Sequence, residues 1–252
     1  MLRDAWNNPA GGLRYHMRAW RHAREWQAYR QGLREWLSSW HPGCSTLALV
    51  GPSAGHCLPF DALSAFDRLV VFEIDPLARL ILKRRIHRAL PRARVTWIGD
   101  DRWIGPVRID GRIPDGLIEP GSALLFCNFI GQVPIMLEPG EYQEFQRQWT
   151  KSLFPQLEHT PWASFHDRVS GETAPYEKLE RHQRRLDNSE ITALYEADPS
   201  RDLIELNDHC SHELLPLGYA YRYLHWPLTH SKHHLIECAL GGPCEKLPAR
   251  TR

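Results

Sequence analysis

Across residues 13–40 the chain carries no proline and one glycine, Gly32, while Trp26, Tyr29, Leu33, Trp36, Leu37 and Trp40 recur at three- and four-residue steps. That stripe predicts an amphipathic helix, which His41, Pro42 and Gly43 are expected to end. Beyond it the period changes to short apolar runs separated by turns and helical stretches, the alternation of strands and crossover helices that gives a parallel sheet. Five such strands are predicted at Thr46–Gly51, Arg68–Ile74, Arg94–Ile98, Ser122–Phe129 and Trp162–His166, with helical segments near 58–65, 76–90 and 141–158. The stretch from Trp103 to Gly121 is rich in glycine and proline and reads as a loop.

The last two strands, Tyr219–Trp226 and Lys232–Leu240, are separated only by Pro227 to Ser231. A parallel crossover needs about a dozen residues, so this pair is expected to be an antiparallel hairpin and the sheet mixed. About fifty mostly polar residues between the fifth and sixth strands, Asp167 to Gly218, read as a cap over a site. The expected architecture is a three-layer α/β sandwich around a mixed seven-stranded sheet.

Composition narrows the partners. The 252 residues hold 31 Lys plus Arg against 30 Asp plus Glu, a formal charge of +1, so no global field draws nucleic acid or an anionic membrane. The apolar runs fall far short of the roughly 18 residues of a membrane span. The N-terminus lacks the apolar core of a secretory signal, and a cytoplasmic location is the expectation. Six cysteines form no CxxC pair; Cys127 and Cys238 lie in apolar runs and read as buried free thiols. The arginines at 14, 18, 21, 24, 30 and 34 are read as a solvated face, diluted by Glu25 and Glu35.

Candidate chemistry lies at the carboxyl ends of the strands. Leu47-Ala48-Leu49-Val50 runs into Gly51-Pro52-Ser53-Ala54-Gly55, a small-residue turn that admits a ligand against main-chain N–H groups. Glu73 ends the second strand 22 residues after Gly51, near the roughly 20-residue spacing of a carboxylate that accepts from ribose hydroxyls. Asp75-Pro76 reads as a helix cap and first turn. The third strand also ends in acid, at Gly99-Asp100-Asp101.

This order of glycine turn, ribose-type acid, Gly99-Asp100, Leu124-Leu125-Phe126-Cys127-Asn128-Phe129 and terminal hairpin resembles class I S-adenosylmethionine-dependent methyltransferases, over residues 46–240. The resemblance implies a Rossmann-like domain at 43–241 with a helical cap at about 167–218, preceded by a helical segment, 1–42, and followed by a tail, 242–252. It also implies S-adenosylmethionine as cofactor, with Gly51, Ser53 and Gly55 forming the cofactor loop, Glu73 at the ribose and Asp100 at the adenine. Leu49 stands where the family places an acid, and Ser53 where it places its middle glycine. The same segments resemble spermidine synthases, although Asn128 replaces the acid that those enzymes carry after the fourth strand. Aminopropyl transfer and a non-catalytic binding protein are the alternatives.

Fourteen histidines, with His209, His212, His225, His230, His233 and His234 crowded near the end, show no recognised metal-ligand spacing, and no metal is expected. His166 and Asn128 end the fifth and fourth strands and are the candidate catalytic residues, His166 as a base. A small-molecule acceptor is the expected partner; the acceptor's identity and the oligomeric state stay open.

Overall fold

The structure, a computed structural model, describes residues 12–99, 119–133, 137, 140–176, 179, 181–182, 184–195 and 205–243. Asp100 and most of the loop from Trp103 to Gly121 lie outside the described residues.

One sheet organises the molecule. Its strands run β1 (Thr46–Val50), β2 (Arg68–Phe72), β3 (Arg94–Ile98), β4 (Ser122–Cys127), β5 (Trp162–Gly171), β6 (Arg181–His182), β7 (Asn207–Asp208), β8 (Ala220–Thr229) and β9 (Lys232–Gly241). The spatial order is β3-β2-β1-β4-β5-β9-β8-β6, with β7 pairing β5. Strands β1 to β5 pair in parallel. β9 lies antiparallel between β5 and β8, as the short Pro227–Ser231 connection requires. The seven expected strands are all present. Among the described residues, two further two-residue strands, β6 and β7, add to these seven.

Side-chain alternation along the strands builds two cores, one on each face. Leu47, Leu49, Leu69, Val71, Leu125 and Phe165 fill one face; Ala48, Val50, Val70, Phe72, Leu124 and Phe126 fill the other. The first face is covered by α1 (Gly12–Arg21), α2 (Gln27–Leu37), a 3₁₀ turn at Phe60–Leu63 and α3 (Pro76–Ala89). The second is covered by α4 (Phe129–Gln132), α5 (Tyr142–Leu157), α6 (Asn188–Ala193) and a 3₁₀ turn at Ser211–Leu214. The three-layer α/β arrangement follows from these two coats.

The expected single N-terminal helix is instead two, broken at residues 22–26. The break frees backbone groups, and the Arg30 guanidinium meets one of them by donating to the Ala23 carbonyl at 2.5 Å. It lets α1 and α2 serve different partners. α2 packs on the hairpin through Trp26, whose ring meets Trp226 edge-on at 4.9 Å, and Tyr29, which stacks on Trp226 at 5.2 Å. Gly32 sits mid-helix because a Cβ there would meet Leu224 Cδ2 at 2.7 Å. α1 instead reaches the carboxyl ends of the parallel strands, where Gly12 N–H donates to Asp75 Oδ2 at 3.2 Å.

β5 also departs from expectation. It runs on to Gly171, past His166, and carries a bulge between Asp167 and Val169. Among the described residues of 167–218 helical structure is limited to α6 and one 3₁₀ turn, the others being strand and irregular chain. Cys57, Cys127, Cys210 and Cys238 are free thiols, and Cys57, Cys127 and Cys238 are buried. No helix among the described residues is long and apolar enough to cross a membrane.

Candidate functional site

A cavity of about 170 Å³ opens at the carboxyl ends of β1, β2, β4 and β5, where an open α/β sheet reverses its strand order. Its floor is Gly51, Pro52 and Ser53 from the first turn, Glu73 to Asp75 after β2, and Asn128 after β4. Tyr15 and Arg18 of α1, Tyr29 of α2 and Trp226 of the hairpin close it from above.

The first turn holds three left-handed residues, Gly51 (φ 65°), Ser53 (φ 50°) and Gly55 (φ 67°). At Gly51 a Cβ would also press on the Phe129 side chain at 3.2 Å. Gly55 plays a different part from the one expected. It does not line the cavity; a Cβ there would strike Leu82 Cδ1 at 2.7 Å, so this glycine lets α3 pack closely against the turn. Ser53, a serine in a conformation that glycine favours, is held by Glu73, whose Oε2 accepts from Ser53 N–H at 2.7 Å. Glu73 Oε1 accepts from Asp75 N–H at 2.9 Å. The carboxylate is buried, and burial raises its pKa although these backbone donors oppose the rise. A third backbone donor, at Ile74, also opposes the rise, so three of the roughly four acceptor sites of the carboxylate are engaged by the chain.

Asp75 caps α3 as expected, its Oδ1 accepting from Leu77 and Ala78 N–H at 2.8 and 3.3 Å. Its Oδ2 holds α1 over the rim.

The far wall is a polar network around Asp167. Its Oδ2 accepts from Asn128 Nδ2 and Gln132 Nε2, both at 3.0 Å, and its backbone N–H donates to Asn128 Oδ1 at 2.8 Å. Asn128 closes this two-point clasp from a left-handed conformation (φ 57°). Asp167 Oδ1 lies 2.9 Å from His234 Nδ1. Burial alone would raise the Asp167 pKa, but His234, His209 and Asn128 outweigh it and hold the carboxyl well below the usual range. An ionised carboxylate only accepts, so His234 Nδ1 carries a proton and donates it to Asp167. The His234 Nε2 is buried without a partner, and His234 lines the cavity.

His209 completes the cluster, its ring atoms 3.3 Å from the Gly131 carbonyl and 3.0 Å from Ser170 Oγ. Ligand atoms of Asp167, His209 and His234 lie within 4.8 Å of one another, a set that is chemically able to bind a transition metal. Their hydrogen bonds are nonetheless satisfied within the protein except at His234 Nε2.

His166, the expected base, does not line the cavity. The pleat turns it to the opposite face of β5 from Phe165 and Asp167. There it meets Ser164 Oγ at 2.8 Å and Glu237 at 3.6 Å, in a buried cluster with Arg185 and Tyr223. The expectation that it stands at a strand end on the ligand edge is therefore corrected, since β5 continues for five residues beyond it. Of the expected site residues, the structure gathers Gly51, Ser53, Glu73 and Asn128 at one cavity. Asp167 and His234 were missed. Alternation carried forward from Phe165, and back from Ile236, Cys238 and Leu240, places both on the cavity face.

No family model and no curated protein matches the chain. Solved structures similar to it include the precorrin-6y C5,15-methyltransferase from Geobacter metallireducens, at 8% identity and TM-score 0.33 over 83% of this chain and 87% of that one. The glycopeptide N-methyltransferase MtfA complexed with S-adenosyl-L-homocysteine is similar at 9% identity and TM-score 0.38, over 85% and 90%. A methyltransferase from Pyrococcus furiosus is similar at 12% identity and TM-score 0.36, over 85% and 83%.

Proposed function

We propose that the protein transfers a methyl group from S-adenosylmethionine to a small acceptor that loses a proton as it reacts. The observation that carries this reading is the joining, in one cavity, of a glycine turn pinned to a buried strand-end acid with an imidazole nitrogen that has no hydrogen-bond partner. Gly51, Ser53 and Glu73 fit an aminoacyl-nucleoside cofactor: the turn offers backbone at close approach, and the Glu73 carboxylate, which lines the cavity, keeps acceptor capacity for a ribose hydroxyl. Asp100, expected beside the adenine, belongs to the same proposal.

When bound, the cofactor supplies a methyl on a sulfonium that is its own leaving group. The chain's tasks are then to align the acceptor, exclude water and take up one proton. Tyr15, Tyr29 and Trp226 close the cavity against solvent. Asn128 fixes Asp167; Asp167 fixes the His234 tautomer; and His234 Nε2 accepts the proton that leaves the acceptor's hydroxyl or ammonium group. The cover of α1 and α2 favours a small molecule over a macromolecular acceptor.

The test is incubation with methyl-labelled cofactor and a fractionated metabolite extract. Label is expected in a small molecule, and His234→Gln should lower turnover by about 10²-fold or more while S-adenosylhomocysteine binding stays close to wild type. Full turnover in that variant would remove His234 from the chemistry.

A further inference from the structure

A second concavity, a groove of about 1170 Å³, lies between α2, the 3₁₀ turn at Phe60–Leu63 and α3, and shares Cys57 and Leu58 with the cavity. Four arginines, Arg24, Arg30, Arg34 and Arg85, line it against two acids, Glu25 and Asp61. Those acids are engaged: Asp61 pairs with Arg34 at 2.9 Å, and Glu25 lies 3.7 Å from both His22 and His230. Among the described residues, no carboxylate lies at salt-bridge distance from the other three guanidinia. Arg30 donates to the Ala23 carbonyl, and Arg85 meets a neutral ring nitrogen, His56 Nδ1 at 3.0 Å, and the Phe60 ring at 5.4 Å.

The positive charge of this groove is therefore left uncompensated next to buried groups. Burial, and after it Arg85, His16 and Arg30, depress the His56 pKa to about 3. Burial and Arg30 also lower Arg85. Two guanidinia of like charge beside a desolvated imidazole are mutually unfavourable unless an anion joins them, and planar guanidinium groups match oxyanions in bidentate fashion. The set also reaches the cavity rim. His56 Nε2 is 3.2 Å from His16 Nδ1, and His16 Nε2 is 3.8 Å from Asp75 Oδ2. The N-terminal arginines are thus more than a solvated face.

We infer that this groove binds an oxyanion, phosphate or carboxylate, borne by the methyl acceptor. Arg30 and Arg85 hold the anionic end while the reactive end enters the cavity past Cys57 and Leu58. This rests on the proposed methyl transfer for the word acceptor; the anion site itself does not.

The test is calorimetric titration of the full chain with inorganic pyrophosphate and, in a separate arm, citrate, at constant ionic strength set with sodium chloride. Saturable binding is expected in one arm or both, and the stronger arm assigns phosphate or carboxylate. Arg85→Gln and Arg30→Gln should each weaken it about tenfold or more, the usual scale for losing a hydrogen bond to a charged group. S-adenosylhomocysteine binding should hold in both variants. If Arg85→Gln fails to fold, Arg30→Gln carries the comparison. Heats no different from chloride, or equal binding by wild type and variants, would overturn the site. Tighter, steeply salt-dependent binding of a single-stranded RNA oligonucleotide would overturn the small-molecule assignment. Oxyanion binding without S-adenosylhomocysteine binding would sink the methyl-transfer reading and leave the groove standing.

Discussion

Removing Glu73 perturbs two things at once, and the structure separates them. Its carboxylate satisfies Ser53 N–H at 2.7 Å and Asp75 N–H at 2.9 Å. Glu73→Ala strands both donors, at about 1–3 kcal/mol each. Relief from burying a carboxylate offsets part of this, since burial already raises the Glu73 pKa. A net destabilisation of about 2–4 kcal/mol follows. Glu73→Gln keeps one acceptor oxygen but turns an NH₂ toward the other donor, so about half that loss is expected. Urea denaturation reads the first effect, and S-adenosylhomocysteine titration of the folded variant reads the second. Because the same carboxylate shapes the turn and faces the cavity, both variants should bind at least about tenfold more weakly. Wild-type midpoint and wild-type affinity in Glu73→Ala would refute the reasoning. A lowered midpoint with unchanged affinity would reduce Glu73 to a loop anchor.

Three further outcomes follow. His166→Ala should lower the denaturation midpoint, because it leaves Glu237 without one of its buried partners, yet folded protein should keep its S-adenosylhomocysteine affinity. Stability should fall as pH drops from about 6.5 toward 3: the unfolded chain protonates His56 while the folded one, with its pKa depressed to about 3, does not, and His56→Gln should flatten that slope in pH-dependent melts. Asp167 and Glu237, whose folded pKa values are lowered, add to this: their contribution is present above their unfolded values of about 4 and is lost progressively as pH falls below those values toward the folded ones. Gly32→Leu should destabilise by several kcal/mol, since even a Cβ there meets Leu224 at 2.7 Å; a wild-type midpoint would contradict the packing of α2 on β8.

The sheet was legible because each parallel strand is a short apolar run bounded by turn residues, and because Pro227–Ser231 is too short for a crossover. The glycine turn and Glu73 were legible for the same reason, since they occupy strand ends that the pattern marks. The far wall was not. His166-Asp167-Arg168 is polar and looked like the end of β5, whereas Arg168 is a buried bulge residue paired with Asp208 at 2.8 Å, and the strand continues beyond it. Partnerships such as Asn128 with Asp167, 39 residues apart, leave no local trace in composition or period. The break in the N-terminal helix is equally silent, because residues 22–26 contain no proline or glycine and the bend is set by what each half packs against.

The central claim, that the cavity between the glycine turn and Asp167 is built for an adenosyl amino acid, is tested most directly by calorimetric titration of the wild-type chain with S-adenosylhomocysteine and, in parallel, NADH. Saturable one-to-one binding of S-adenosylhomocysteine, with no heat from NADH, is the predicted result. Silence toward S-adenosylhomocysteine, or preferential binding of NADH, would contradict it.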